Sequence, residues 1–348
     1  MKSLPLMSIL LVVLCLALSS CSLPSQAAPS PTLPPPTPVP ATPLPTATAE
    51  PSATPQPSAT PEPVATVEPA ALPTPPVLPS PTPVNIEEAT ESELAKAVES
   101  SSTSASEACE LTYSALEAAL TDGILTPAEI AMLYSYIEYA EPYIEEALLL
   151  TEAYLELYGE LAEESLAALQ EMESELEAMN TSMEELSAVL DQVNQAVQQG
   201  AAIAQESLTR LQTQAQSIEE QVLALQGKSD GISALIQAEI TLRIDELMNM
   251  APNVSPKNRL EALSLAHTYL SMVSGAVSDK KVTLDELKAI AQASANAANA
   301  LTKMGGADLS QYASLINNLT QNLASGELNK AFSALSSLQS SLPALPQH

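Results

Sequence analysis

Tryptophan is absent from this 348-residue chain, phenylalanine occurs once, and glycine occurs only nine times. Aromatic and β-branched residues furnish the faces of sheets, so their scarcity weighs against a β fold. Histidine occurs twice, as His267 and His348. Two isolated histidines supply neither a histidine-based zinc cluster nor a Ser-His-Asp arrangement. A phosphate-cradling glycine-rich loop and a dinucleotide fingerprint are also missing. Positive charge is scarce as well: 12 Lys plus Arg stand against 42 Asp plus Glu, a formal charge of −30. A chain so acidic repels polyanions, which excludes nucleic acid as an expected partner.

Cysteine is limited to Cys15, Cys21 and Cys109. The first two fall in or beside an N-terminal apolar stretch, which leaves Cys109 without a thiol partner in the mature chain. It shares a helical face with Tyr113 and Leu116 and has no cationic neighbour, so it reads as a small buried residue rather than a reactive thiol.

What is abundant is Ala, Leu, Glu and Gln, residues that lose little side-chain freedom in helices. An all-α fold is therefore expected. The acidity is lopsided: between Ile86 and Gln195 only Lys96 is basic, whereas the stretch from Ala196 onward is nearly balanced. Such a run reads first as a Glu-coated solvated helix face, and second as a surface for cationic partners.

Met1-Lys2-Ser3, the mostly apolar run Leu4 to Leu18, and then Leu18-Ser19-Ser20-Cys21 follow signal-peptide order. The apolar run is short for a spanning helix, which needs about 20 such residues. The last four residues resemble the lipobox of bacterial lipoproteins, where an aliphatic and two small residues precede cysteine. The resemblance is confined to the leader. It implies cleavage before Cys21, lipid attachment through its sulfur, and an extracytoplasmic, membrane-anchored location in the cell envelope. Residues 1–20 are then the signal peptide.

Residues 21–85 are mostly Pro, Thr, Ala and Ser, with related units such as Pro51-Ser52-Ala53-Thr54-Pro55 and Pro57-Ser58-Ala59-Thr60-Pro61. Such a composition offers no core and few backbone donors, and predicts a disordered, extended stalk. At about 3.1 Å per residue in polyproline II form, some sixty residues would reach on the order of 190 Å when stretched.

The helical body is expected over residues 86–342, with a short tail at 343–348. Its strongest pattern runs Leu155, Tyr158, Ala162, Ser165, Leu169, Met172, Leu176, Met179, Met183, Leu186, Leu190, Val193 and Val197, with gaps alternating three and four. That is a heptad seam, and its methionines read as coiled-coil core. The seam resumes at Ala204, Leu208, Leu211, Ala215, Ile218, Val222 and Leu225. Gly200 between the two is either a stutter within one rod or the turn of an antiparallel hairpin. Because one glycine costs only ~1 kcal/mol in a helix and no proline is near, the continuous rod from Ile144 to Gln226 is favoured. Gly227-Lys228-Ser229-Asp230-Gly231 reads as the stronger stop. Shorter helices follow at Ile232 to Met250, Pro256 to Val277, Leu284 to Lys303, Leu309 to Ala324 and Leu328 to Leu342. The dense tyrosines between Tyr134 and Tyr158 read either as a binding patch or as packing around a break or kink at Pro142.

Two segments match each other: Ala119-Leu120-Thr121-Asp122, Leu125-Thr126 and Glu129-Ile130 against Ala276-Val277-Ser278-Asp279, Val282-Thr283 and Glu286-Leu287. Each resembles the back half of an EF-hand. As a metal site the pattern is deficient, because Ala118, Leu120, Gly275 and Val277 stand where hard calcium needs oxygen ligands. Asp122, Glu129, Asp279 and Glu286 are the only metal candidates it leaves, and no metal is expected. Thr126-Pro127-Ala128-Glu129 and Thr283-Leu284-Asp285-Glu286 read instead as capping boxes.

These observations predict no enzyme and no cofactor beyond the lipid on Cys21. They predict a surface lipoprotein whose helical body acts as a spacer, scaffold or protein-binding module, with homo-oligomerisation through the seam as one outlet for its apolar face. The alternative is a cation-binding or sensory module built on the duplicated acidic loops.

Overall fold

The computed structural model describes residues 84–278, 281–304 and 306–345. The leader, Cys21 and the stalk as far as residue 83, like Asp279, lie outside the described residues. Those described form helices: α1 Glu91–Leu120, α2 Pro127–Tyr158, a 3-10 turn at Gly159–Leu161, α3 Leu166–Gln198 and α4 Gln205–Ser229. They continue as α5 Ile232–Met248, α6 Arg259–Ala276, α7 Leu284–Met304, α8 Ala307–Ala324 and α9 Leu328–Ser341. The chain is all-α, as expected, and the five C-terminal helices fall within a few residues of the stretches their periodicity marked.

The first four helices close a ring in which α1 packs on α2, α2 on α3, α3 on α4, and α4 back on α1. A second ring follows the same rule with α6, α7, α8 and α9. Between them, α5 touches α1 on one side and α7 and α8 on the other. Each ring is an up-and-down four-helix bundle, the arrangement short loops favour between neighbouring antiparallel helices.

The continuous rod is not what forms. Gly200 takes φ +65, its N–H donates to the Val197 carbonyl at 3.0 Å, and the Ala201 N–H donates to that of Ala196 at 2.9 Å. This is a Schellman ending, which satisfies the last carbonyls of α3 without proline. The chain then doubles back. Gln214 donates to Glu185 at 2.6 Å, Ser182 and Ser217 hydroxyls meet at 3.5 Å, and Lys228 reaches Glu175 at 2.9 Å. Folding the hairpin buries Leu211, Ile218, Val222 and Leu225 together with Leu169, Met172, Leu176 and Met183. At ~1.5–3 kcal/mol for each such side chain, that gain far exceeds the ~1 kcal/mol by which glycine disfavours a helix. Local propensity was the weaker term.

The stop expected at Gly227 to Gly231 is only a joint. Gly227 lies inside α4; Asp230 and Gly231 alone leave the helix, Gly231 with φ +79. Beyond it the chain keeps its course along α1, as Ser233 N donates to Glu99 at 2.9 Å and Ser92 donates to Gln237 at 2.8 Å. The heptad seam is also interrupted once, at Gly159 to Ser165, although Tyr158, Ala162 and Ser165 stay buried. Pro142 breaks nothing: α2 runs through it.

Candidate functional site

The capping boxes form as the sequence predicts. Thr126 Oγ1 accepts from Glu129 N at 3.2 Å while Glu129 accepts from Thr126 N at 2.8 Å; Thr283 and Glu286 repeat this at 3.2 and 3.0 Å. Both carboxylates are thereby engaged at helix starts. Asp122 accepts from Ile124 N at 2.9 Å, closing the turn before α2. The matched aliphatic residues Leu125 and Val282 are buried, as are Ile130 and Leu287. The repeat is thus a helix-turn-helix corner used once in each bundle, by α1 with α2 and by α6 with α7. No group of three His, Cys, Asp or Glu positioned for a metal occurs among the described residues. A third box, Thr90 with Glu93, starts α1; Thr90-Glu91-Ser92-Glu93 carries the same Thr-x-x-Glu spacing as the other two.

Cys109 is fully buried, and that burial pushes its thiol well above the ordinary range. The tyrosines divide between two tasks. Tyr134 donates to Asp191, tying α2 to α3, and Tyr139 lies against Tyr143 with ring centroids 5.3 Å apart. Tyr154 and Tyr158 are buried where the two bundles meet.

That junction is the most chemically specific place in the described structure. Arg243 of α5 donates from Nε to the Ala324 carbonyl at 2.7 Å, from one terminal nitrogen to the Leu161 carbonyl at 3.0 Å, and from the other to Glu91. Tyr154 donates to the second Glu91 oxygen at 3.1 Å, and Tyr158 donates to the Ala89 and Gly326 carbonyls at 2.9 and 3.2 Å. Burial raises the Glu91 carboxyl above its usual range, with Arg243 opposing the shift, and it raises both tyrosine hydroxyls. Chain ends of several helices are gathered here: the start of α1, the 3-10 turn after α2, and the Schellman ending of α8 at Gly326, where Glu327 N reaches the Asn322 carbonyl at 2.8 Å.

One turn before Arg243 on α5, Glu239 accepts from the backbone N–H groups of Glu164 and Ser165 and from the Ser165 hydroxyl. It caps α3 from outside, since Ser165 makes no cap bond of its own. The sequence carried one overlooked signal for this junction. Arg243 occupies a heptad position in the stripe Ile236, Ile240, Arg243, Leu247, and a lone charge there demands a buried counterion. Glu91 stands in register with Leu94, Ala95 and Val98 in the same way.

Beside the junction lies a recess whose floor is Leu161, Leu247 and Leu284 and whose rim is Glu163, Glu164, Glu246 and the exposed Leu242. No protein-family model, curated protein or solved structure matches this chain.

Proposed function

We propose that this protein is a non-enzymatic surface lipoprotein, anchored by lipid on Cys21, whose double bundle is a protein-binding module held on the Pro/Thr-rich stalk. The observation that supports it most is where the apolar seam goes. Leu169 to Val193 and Leu211 to Leu225 are buried against one another and against α1 and α2. What the first bundle turns outward is a surface rich in Glu and nearly devoid of Lys and Arg. Association through such a surface is selective for cationic partners. The spacer role falls to the stalk, and the seam residues from Leu169 to Val193 and from Leu211 to Leu225, through which two copies could have joined, are covered within one chain.

Two measurements test this reading. Mass spectrometry of the mature protein is expected to find Cys21 as the first residue carrying a diacylglyceryl group; an intact leader overturns the anchor. Proximity labelling from the body at the cell surface is expected to enrich proteins with basic exposed segments, and labelling no stronger than that from the stalk alone overturns the binding role.

A further inference from the structure

We propose that the recess at the bundle junction receives a lysine side chain of a partner protein, its alkyl stem on the leucines and its ammonium among the rim carboxylates. The inference rests on the protein-binding reading and names where a basic partner would be held.

Size is the first argument. The space within the recess is about 90 Å³, well below the ~300–1,000 Å³ of pockets that enclose drug-sized ligands. A single side chain suits it; a cofactor does not. Chemistry is the second. Leu161, Leu247 and Leu284 offer an apolar floor, and Leu242, 66% exposed, stands at the edge as an unusually bare leucine. A long aliphatic stem covers such surface while its charged end stays at the solvent boundary.

Charge is the third argument and selects the occupant. Glu163, Glu164 and Glu246 are exposed on the rim and form no ion pair among the described residues. Arg243, the basic group in the wall, does not neutralise them: it is paired with Glu91, three of its N–H groups go to Glu91, Leu161 and Ala324, and it is 6% exposed. Glu239 is likewise engaged in capping α3. Unlike the open helix faces, this place joins carboxylates that no described cation pairs to a concave apolar floor. Both features together fit an aliphatic ammonium better than either an anion or a wholly apolar group.

The test uses the full-length chain and two synthetic decapeptides, one of lysine and one of 2,3-diaminopropionic acid, which has the same number of ammonium groups on much shorter stems. Calorimetry at low and at physiological salt reads the affinities. The lysine peptide is expected to bind at least tenfold more tightly. Glu163→Gln/Glu164→Gln/Glu246→Gln is expected to remove that preference, whereas Glu138→Gln/Glu145→Gln/Glu177→Gln, neutralising as many exposed carboxylates elsewhere on the first bundle, retains it. Equal affinities for the two peptides, or equal losses in the two variants, reduce the effect to unspecific charge and overturn the recess. Leu242→Ser, with unchanged helicity by circular dichroism, is expected to weaken lysine binding at least threefold; no change also overturns it. Repeating the surface labelling with the rim variant separates the two ideas. Undiminished labelling of basic partners refutes the recess alone, while absence of labelling in the unmodified protein refutes the binding module itself.

Discussion

Glu91 at the start of α1 and Arg243 near the end of α5 are 152 residues apart, yet they form an ion pair with side-chain exposures of 1% and 5%. Burying two charges is costly unless their remaining hydrogen-bonding capacity is met. Here it is met by Tyr154 and by the carbonyls of Leu161 and Ala324, groups supplied by both bundles. The pair therefore ties the three parts in register: its full set of hydrogen bonds is complete only when the two bundles and α5 are all in place.

Arg243→Ala strands Glu91 in the interior and is expected to cost about 3–5 kcal/mol. Arg243→Lys should rescue little, because one ammonium cannot reproduce a fork directed at three acceptors. Glu91→Gln/Arg243→Met removes both charges and is expected to recover most of the loss. Urea denaturation of the four proteins checks this, and a double variant no more stable than Arg243→Ala contradicts it.

Gly326 and Gly200 both adopt left-handed φ, of +68 and +65, but only one is crowded. A Cβ on Gly326 would lie 2.5 Å from Glu91 Cβ, while one on Gly200 meets nothing within 4 Å. Gly200→Ala is expected to cost ~1–2 kcal/mol from backbone strain alone. Gly326→Ala adds a steric displacement of the Glu91 pair worth a further ~1–3 kcal/mol. Thermal unfolding should rank them in that order.

The hairpin at Gly200 can be trapped covalently. Ser182 and Ser217 hydroxyls are 3.5 Å apart, so Ser182→Cys/Ser217→Cys is expected to form an intramolecular disulfide on mild oxidation. In an unbroken helix, 35 residues would separate them by about 52 Å at 1.5 Å per residue. Exclusively intermolecular crosslinks on a non-reducing gel would refute the hairpin.

The capping box of α1 predicts a pH dependence. Glu93 accepts from the Thr90 backbone N–H at 2.9 Å and from its hydroxyl at 2.8 Å, in that order of effect, and its carboxyl is held below the usual range. A lowered folded-state pKa favours the ionised, folded form. Its contribution is present above the unfolded value of about 4.3 and is lost as pH falls through the lower folded value. Because Glu93 is exposed, solvent screening limits it to a few tenths of a kcal/mol up to ~1 kcal/mol. The stability gap between the unmodified protein and Glu93→Gln should therefore be constant at neutral pH and close on acidification. A gap that widens in acid would contradict the assignment.

Much of this architecture was legible in residue order because its causes are local. Apolar residues at three- and four-residue spacing marked the helices, and Thr-x-x-Glu marked two of the starts. The seam from Leu169 to Val193 was recognisable as core before any partner helix was known. What local pattern could not weigh was Gly200 against Gly231. Both are glycines between helices with left-handed φ, yet one reverses the chain and the other merely bends it. The difference lies in what each half of the chain buries: α4 must return onto α3 and α1, whereas α5 gains by continuing along α1.

The junction marks the same boundary between local and global causes. Residue order alone established helices, their apolar stripes, their caps and a surplus of negative charge, since each follows from side chains within a few turns of one another. Only the tertiary structure decided that Glu91 faces Arg243, that Glu239 caps a helix not its own, and that bare carboxylates ring a leucine-floored recess. Those pairings depend on which helix ends converge, and convergence is set by the summed burial of both bundles rather than by any short stretch of chain.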